Sequence, residues 1–325
     1  MIVTVTLNPS LDRTLTLDEP LTRGAVHRLT PVATEPGGKG VNVSRALTLN
    51  GVDTVALLPA ADHDPILTGL RARGVPFHNI DIPGAVRSNL TITENDGTTT
   101  KLNEPGARLD RPTLAALTAV VRGHATEATW LVLSGSLPPG VPDDWYADIV
   151  AQLAPLPCRV AVDTSERPLT ALAAAFPTAA PDLIKPNSEE LASLTGRSAQ
   201  ELEDAAAQGD PLPVVSAARQ LVDRGANTVL VTLGGAGAVL VDRDGTWAAT
   251  VPPIVPRSTV GAGDASLAGY LAATIAGAPP AERLQTAVAY GSAAASLPGS
   301  ALPTPEQIDV KAVQVQAVTS ASAPL

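Results

Sequence analysis

The sequence predicts an α/β fold: a mostly parallel sheet covered by helices on both faces. Three observations predict it. Short β-rich or apolar runs at 3–7, 54–58, 130–133, 159–162, 183–185 and 228–232 alternate with longer helical patterns at 40–48, 66–73, 113–122, 145–153, 188–194 and 214–224. Apolar runs of this kind suit strands buried on both faces. The 325 residues are 45% hydrophobic, ample for a sizeable core. No internal repeat is present, nor a linker rich enough in Pro, Gly and Ser to separate two large domains, so residues 1–325 are expected to form one domain.

Taken in order, the first break in the alternation is a pair of β-like segments, 11–17 and 26–32. A second pair, 87–93 and 98–103, flanks Glu94-Asn-Asp-Gly97, a hairpin signal between alternating residues. These four segments, within about 11–32 and 87–103, are read as a small β lid. Further on, segments 238–242 and 246–251 face each other across Arg243-Asp-Gly245 and are expected to add antiparallel edge strands. Three helical stretches follow, 262–275, 281–296 and 304–316, before a tail at 319–325 expected to fray.

Composition narrows the function. The net charge is −10 and no block of Lys and Arg occurs, which argues against a nucleic-acid or anionic-membrane surface. With two Phe, three Trp and three Tyr, base-stacking platforms are not expected. Cys158 is the single cysteine, so there is no disulfide framework, and a reducing cytoplasm fits. The start MIVTVTLNP reads as no targeting leader, and no apolar run is long enough to span a bilayer. The four His are scattered, which disfavours a zinc site.

The chemistry concentrates in glycine turns. In Thr259-Val-Gly-Ala-Gly-Asp264, ahead of the small-residue stretch 265–275, a lone carboxylate stands in a turn that opens a helix. Gly261 and Gly263 let successive N–H groups converge on an anion, and the helix start adds partial positive charge. A carboxylate there opposes a bound phosphate. Proton removal from an attacking hydroxyl is one reason to keep it; a simple helix cap is the other.

Gly37-Gly38-Lys39-Gly40 leads into a helix carrying Asn42 and forms a second candidate anion site, or else a plain connector. It is not a P-loop: Gly40 follows Lys39 where Ser or Thr is required. Lys185-Pro-Asn187-Ser-Glu-Glu190 carries an N-x-x-E spacing that suits either a capping box or hydrated Mg²⁺ beside nucleotide phosphates. Thr232-Leu-Gly234-Gly-Ala-Gly237 follows a strand and is either a tight hairpin turn or bare backbone for a nucleotide; it lacks the dinucleotide fingerprint. Ser136, in Ser134-Gly-Ser-Leu-Pro-Pro-Gly140, has no matched His and Asp, so a serine hydrolase is not expected. Asp12 and Arg87 offer a carboxylate for sugar hydroxyls and a guanidinium for a phosphate; singly, each also reads as a turn former or a solvated charge.

Together and in this order, Asn8-Pro-x-x-Asp12 and the five glycine- and Asn-bearing motifs above resemble the ribokinase-like phosphofructokinase B family over roughly residues 1–300. The resemblance implies a three-layer α/β/α sandwich with a β lid that often pairs two subunits, hence a homodimer. It also implies ATP as co-substrate, Mg²⁺ and a sugar phosphate. Asp264 would be the catalytic base, with the amides of Gly261, Ala262 and Gly263 as the anion hole. Asp12, Gly38, Lys39, Asn42, Arg87 and Ser136 would hold the sugar phosphate. Lys185, Asn187, Thr232, Gly234, Gly237 and Thr259 would line the nucleotide site, with Asn187 and Glu190 serving Mg²⁺ through water.

Within the family, Arg87-Ser-Asn89-Leu, Thr100-Lys-Leu-Asn-Glu-Pro-Gly106 and Gly24-x-Val26-x-Arg28 imply fructose 1-phosphate as acceptor, phosphorylated at its 6-hydroxyl, with tagatose 6-phosphate and fructose 6-phosphate as alternatives. Two positions depart from relatives: Ala25 stands where some carry a phosphate-binding lysine, and His27 where Asn is common. A catalytically silent sugar-phosphate or nucleotide sensor is the reading from another class.

Overall fold

The computed structural model describes residues 1–28, 33–96 and 98–318. The chain starts with β1 (Ile2–Val5), β2 (Ser10–Leu17), β3 (Ala33–Gly37), α1 (Lys39–Leu49), β4 (Thr54–Pro59), α2 (Pro65–Ala72) and β5 (Phe77–Ile80). Next come β6 (Arg87–Glu94), β7 (Thr99–Asn103), α3 (Arg111–Ala125), β8 (Trp130–Ser134), α4 (Trp145–Leu153), β9 (Arg159–Asp163) and α5 (Glu166–Ala174). The remainder is β10 (Leu183–Ile184), α6 (Ser188–Thr195), α7 (Ala199–Ala207), α8 (Leu212–Asp223), β11 (Thr228–Thr232), β12 (Ala238–Asp242), β13 (Thr246–Thr250), α9 (Ala262–Ile275), α10 (Pro280–Ala295) and β14 (Gln314–Ala317).

Ten strands form the central sheet in the order β14-β13-β12-β11-β10-β9-β8-β1-β4-β5. From β11 to β5 every pairing is parallel; β11 to β14 are antiparallel. Side-chain alternation along each strand sends apolar groups to both faces. Val3, Val5, Leu131, Leu133, Val160 and Val162 pack with Leu117 of α3, Ile149 of α4 and Leu221 of α8. Ile2, Val132, Ala161 and Leu230 pack on the other side with Leu47 of α1, Leu271 of α9 and Leu284 of α10. Helices therefore cover both faces, as the sequence predicts. In α9, Gly269 lets α10 approach closely: a Cβ there would lie 2.8 Å from the Thr286 carbonyl oxygen.

A separate four-stranded sheet, ordered β3-β2-β6-β7, gathers the segments around 11–17, 87–93 and 98–103 that the sequence reads as a lid. Its central pair, β2 with β6, is parallel and its flanking pairs are antiparallel. One lid strand differs from expectation. Residues 26–28 form no strand and 29–32 lie outside the described residues; the partner of β2 is β3, which runs straight into α1. Gly37, the last residue of that strand, must lack a side chain because the Asp12 carboxylate lies over it, 2.2 Å from where a Cβ would be.

A second correction concerns 304–316. Instead of a helix there are short 3₁₀ turns at Pro305–Gln307 and Val310–Ala312 and then β14, which pairs with β13 and satisfies its outer backbone groups. The tail expected to fray lies outside the described residues. Among the described residues no helix is long and apolar enough to cross a membrane.

Candidate active site

The parallel strands deliver their C-terminal ends to one edge of the sheet, where ligands bind in open α/β folds. At that edge the turn before α9 is closed by the Ala262 amide donating to the Thr259 carbonyl (3.3 Å), and Gly261 is left-handed at φ 78°. Asp264 lies in the first turn of α9 and is 7% exposed. It does not cap its own helix, because no side chain caps the start of α9. Instead its Oδ2 accepts a 2.9 Å hydrogen bond from Asn42 Nδ2 on α1. Arg45 Nη1 donates to Asn42 Oδ1 (3.3 Å), which fixes the amide with its donor toward the carboxylate. Burial pushes the Asp264 carboxyl above the ordinary carboxylate range; Asp163 adds to the rise, while Lys39, Asn42 and Lys185 oppose it.

Two lysines converge beside it on a carboxylate that the sequence reading missed. Asp163, at the end of β9, has a fully buried side chain; Lys39 Nζ bonds its Oδ1 at 2.8 Å and Lys185 Nζ pairs with its Oδ2 at 3.1 Å. Burial alone would raise the Asp163 carboxyl, but the two ammonium groups outweigh it and hold it low. The Lys39 ammonium has the mirror-image balance: desolvation works against it, and Asp163 with Asp264 raises it well above its usual value. Lys39 thus stays charged. Lys185 also overhangs α9, its Nζ 3.3 Å from where a Cβ on Gly263 would be.

Asp12, on lid strand β2, accepts from Ser10 Oγ (2.8 Å) and from Asn89 Nδ2 of β6 (3.0 Å). Asn8 Nδ2 donates to Ser136 Oγ (3.2 Å), and Arg87 Nη1 to the Glu104 carbonyl (3.2 Å). Asn8, Arg87 and Ser136 line one cavity of about 460 Å³. Arg87 Nε is buried without a protein partner, so this wall has donor capacity to spare; Asn89 Oδ1, on the same strand, is likewise buried and unpartnered. Gly38, left-handed at φ 106°, turns the chain into α1 where a Cβ would lie 2.7 Å from the Thr6 methyl. No hydrogen bond or ion pair among the described residues ties Asp12 or Arg87 directly to Asp264. The link is indirect: Glu35 of β3, opposite Asp12 in register, bonds Arg45 Nη2 at 2.7 Å.

At the other end, Asn187 and Glu190 form the capping-box alternative: Asn187 Oδ1 accepts from the Glu190 amide and Glu190 Oε2 from the Asn187 amide. Asn187 also bridges to Thr232 at the end of β11. Gly237 is required by packing, since a Cβ would lie 1.9 Å from the Ala249 carbonyl oxygen, whereas Gly234 (φ 54°) faces open space. A larger cavity, about 650 Å³ and lined by Phe176, Arg219 and Arg224, lies beside the start of β11 and contains none of these groups.

A family model described as pfkB family carbohydrate kinase matches residues 5–307. The chain belongs to the pfkB family of carbohydrate kinases. Within that family it is 38% identical over 291 residues to the 1-phosphofructokinase of Xanthomonas campestris pv. campestris, covering 88% of each chain. It is 33% identical to the ATP-dependent 6-phosphofructokinase isozyme 2 of Escherichia coli, covering 93% of this chain and 94% of that one. The structure of phosphofructokinase-2 from E. coli in complex with fructose 6-phosphate superposes with a TM-score of 0.83 at 30% identity, over 94% of this chain and 96% of that one. A ribokinase from Thermotoga maritima, 18% identical over 96% of this chain and 98% of that one, shares the fold with a TM-score of 0.70.

As a pfkB kinase the protein uses ATP to phosphorylate a sugar substrate. The donor set near α6 fits a weakly held, hydrated Mg²⁺ rather than a dedicated cage. Asn187 and one Glu190 oxygen are committed to the cap, and no cluster of three or more metal-holding side chains occurs among the described residues. Burial also pushes the Glu190 carboxyl up, with Lys39 opposing the rise.

Proposed function

We propose that the protein transfers the γ-phosphoryl group of ATP to the 6-hydroxyl of fructose 1-phosphate, giving fructose 1,6-bisphosphate and ADP. The observation that carries the reading is Asp264: a buried carboxylate held by Asn42 instead of its own helix, with its affinity for protons raised by burial. Such a group takes the hydroxyl proton as the new P–O bond forms, and a raised pKa brings the base closer to the working pH. The amides of Gly261 and Gly263, with the start of α9 behind them, carry part of the spread charge of the transferring phosphoryl group; the Ala262 amide, which donates to the Thr259 carbonyl, joins them by releasing that turn contact.

Lys39 and Lys185, both paired with Asp163, flank the transfer. Asp12 with Gly38 and Asn42 orients sugar hydroxyls, and Arg87 with Ser136 takes the substrate's own phosphate. Thr232, Gly234, Gly237 and Thr259 line the nucleotide. Asn187 and Glu190 would hold Mg²⁺ through water, and the ion would neutralise phosphate charge there. We further propose a homodimer through the lid and a cytoplasmic location. The acceptor assignment follows the resemblance to 1-phosphofructokinases; the 33% identical 6-phosphofructokinase keeps fructose 6-phosphate, and with it tagatose 6-phosphate, as the second reading.

Coupled ADP-release assays with the three sugar phosphates side by side test this. The highest kcat/KM is expected for fructose 1-phosphate. A preference for either 6-phosphate moves the assignment, and no ADP release above ATP hydrolysis with any of them makes the protein a sensor.

A further inference from the structure

The cavity that holds Asn8, Arg87 and Ser136 has a charge problem. A sugar phosphate brings about 1.5 to 2 negative charges at neutral pH. Arg87 supplies one positive charge, with one Nη already given to the Glu104 carbonyl. Two carboxylates, Asp143 and Glu166, line the same space. The one other cation on its wall is Arg167. That side chain is 85% exposed, and its ion-pair partner among the described residues is Asp143, at a loose 3.4 Å through Nε. Among the described residues no hydrogen bond or ion pair engages either Nη group, the ends that grip a phosphate bidentately.

The backbone holds Arg167 at the cavity on purpose-built geometry. Glu166, immediately before it, is the one non-glycine residue at positive φ (54°) among the described residues. For a residue with a Cβ this conformation costs free energy and persists only where the surroundings over-determine it. The surroundings are stiff here. Gly135 donates its amide to the Asp163 carbonyl (2.9 Å), and the Gly135 carbonyl accepts from both Thr164 Oγ1 and Tyr146 OH at 2.9 Å. The loop bearing Ser136 and the segment that leads from β9 into the first turn of α5, where Arg167 stands, are therefore one braced frame, and both open on the cavity.

We propose that Arg167 is a second phosphate-binding guanidinium of the acceptor site, acting opposite Arg87 and setting the preference for phosphorylated over unphosphorylated ketohexoses. The proposal rests on the sugar-phosphate kinase reading. In it, the substrate phosphate replaces the single loose Asp143 contact with a two-point one.

The test compares wild type, Arg167→Ala, Arg167→Lys and Arg87→Ala in steady-state assays with fructose 1-phosphate, with unphosphorylated fructose at high concentration, and with ATP varied. Arg167→Ala is expected to raise the fructose 1-phosphate KM about tenfold, given the partial exposure of the contact. The ATP KM and the kcat/KM for fructose should stay within about twofold, and Arg167→Lys should recover part of the loss. A fructose 1-phosphate KM within twofold of wild type in Arg167→Ala, or an equal fall in kcat/KM for fructose and fructose 1-phosphate, overturns the proposal. If Arg87→Ala still raises that KM, the kinase reading survives the loss. A wild-type enzyme that releases no ADP with any of fructose 1-phosphate, fructose 6-phosphate and tagatose 6-phosphate overturns the kinase reading and the proposal with it.

Discussion

Replacing Asp163 by Asn removes the buried charge on which two lysines converge. The two ammonium groups do not suffer equally. The Lys185 side chain is 4% exposed and has nowhere to turn, whereas Lys39, at 34%, can reach water. The cost is therefore dominated by one uncompensated buried ammonium, about 3–5 kcal/mol. Unfolding entropy of about 2.1 cal/mol/K per residue converts this, over the length of the chain, into a fall in Tm of about 4–7 °C at pH 7.

The pH dependence follows from the sign of the shift. The folded-state carboxyl is held low, the lysines outweighing the opposing effect of burial, so its contribution is complete above the unfolded value of about 3.9 and is lost as pH falls through the lower folded value. The gap between wild type and Asp163→Asn should stay constant from about pH 5 to 8 and narrow below about pH 4. Thermal unfolding followed by circular dichroism at matched ionic strength reads both quantities. A fall of under about 1 °C at pH 7, or a gap that widens on acidification, refutes the electrostatic argument.

Asp264→Asn keeps size and polarity while removing the base; kcat should drop about a hundredfold or more with ATP affinity little changed by calorimetry, and near-normal turnover would defeat the assigned role. Because the base must be ionised and burial raises its pKa, wild-type kcat/KM should decline on the acid side with a midpoint above about 3.9, and a midpoint at or below that value contradicts the buried setting. Arg87→Ala should raise the sugar-phosphate KM more than the ATP KM, at about 1.5–3 kcal/mol; equal effects on the two substrates would move Arg87 out of the acceptor site.

The parts of the fold readable from sequence are those whose periodicity is unbroken. Strands β1, β8, β9 and β11 carry Val and Leu to both faces, and α4 shows its apolar spacing from Trp145 to Leu153. What escaped lacks that signature. Helix α5 opens on a left-handed Glu166 and carries Pro168 in its first turn, and α7 buries only Leu202. β14, in Gln-Val-Gln-Ala, is a strand because β13 offers it an open edge, a fact of tertiary structure and not of local propensity.

The same distinction governs the site. Asp264, Lys39 and Asn187 stand at glycine or Pro-Asn turns that announce themselves in one dimension. Asp163 ends an ordinary strand, and only folding brings it between lysines from positions 39 and 185. Arg45 and Glu35 escaped for the same reason.

Those two residues bear on how the lid and the base are joined. Glu35 divides its carboxylate between Arg45 and Arg73, at 2.7 Å each. Arg45, largely buried, spends its other Nη on the Pro36 carbonyl and on Asn42 Oδ1. An amide presents either its donor or its acceptor to a neighbour, and a carboxylate accepts only. With Arg45 claiming the oxygen, Asn42 must turn Nδ2 toward Asp264; without Arg45, the carbonyl could face the carboxylate and repel it. The orientation of the hydrogen bond to the base is thus set from β3, which runs beside the strand that carries Asp12. Contacts thus run from β3, paired with the Asp12 strand, through Glu35, Arg45 and Asn42 to Asp264. One short chain of charged and amide groups thereby joins the small sheet to the setting of Asp264.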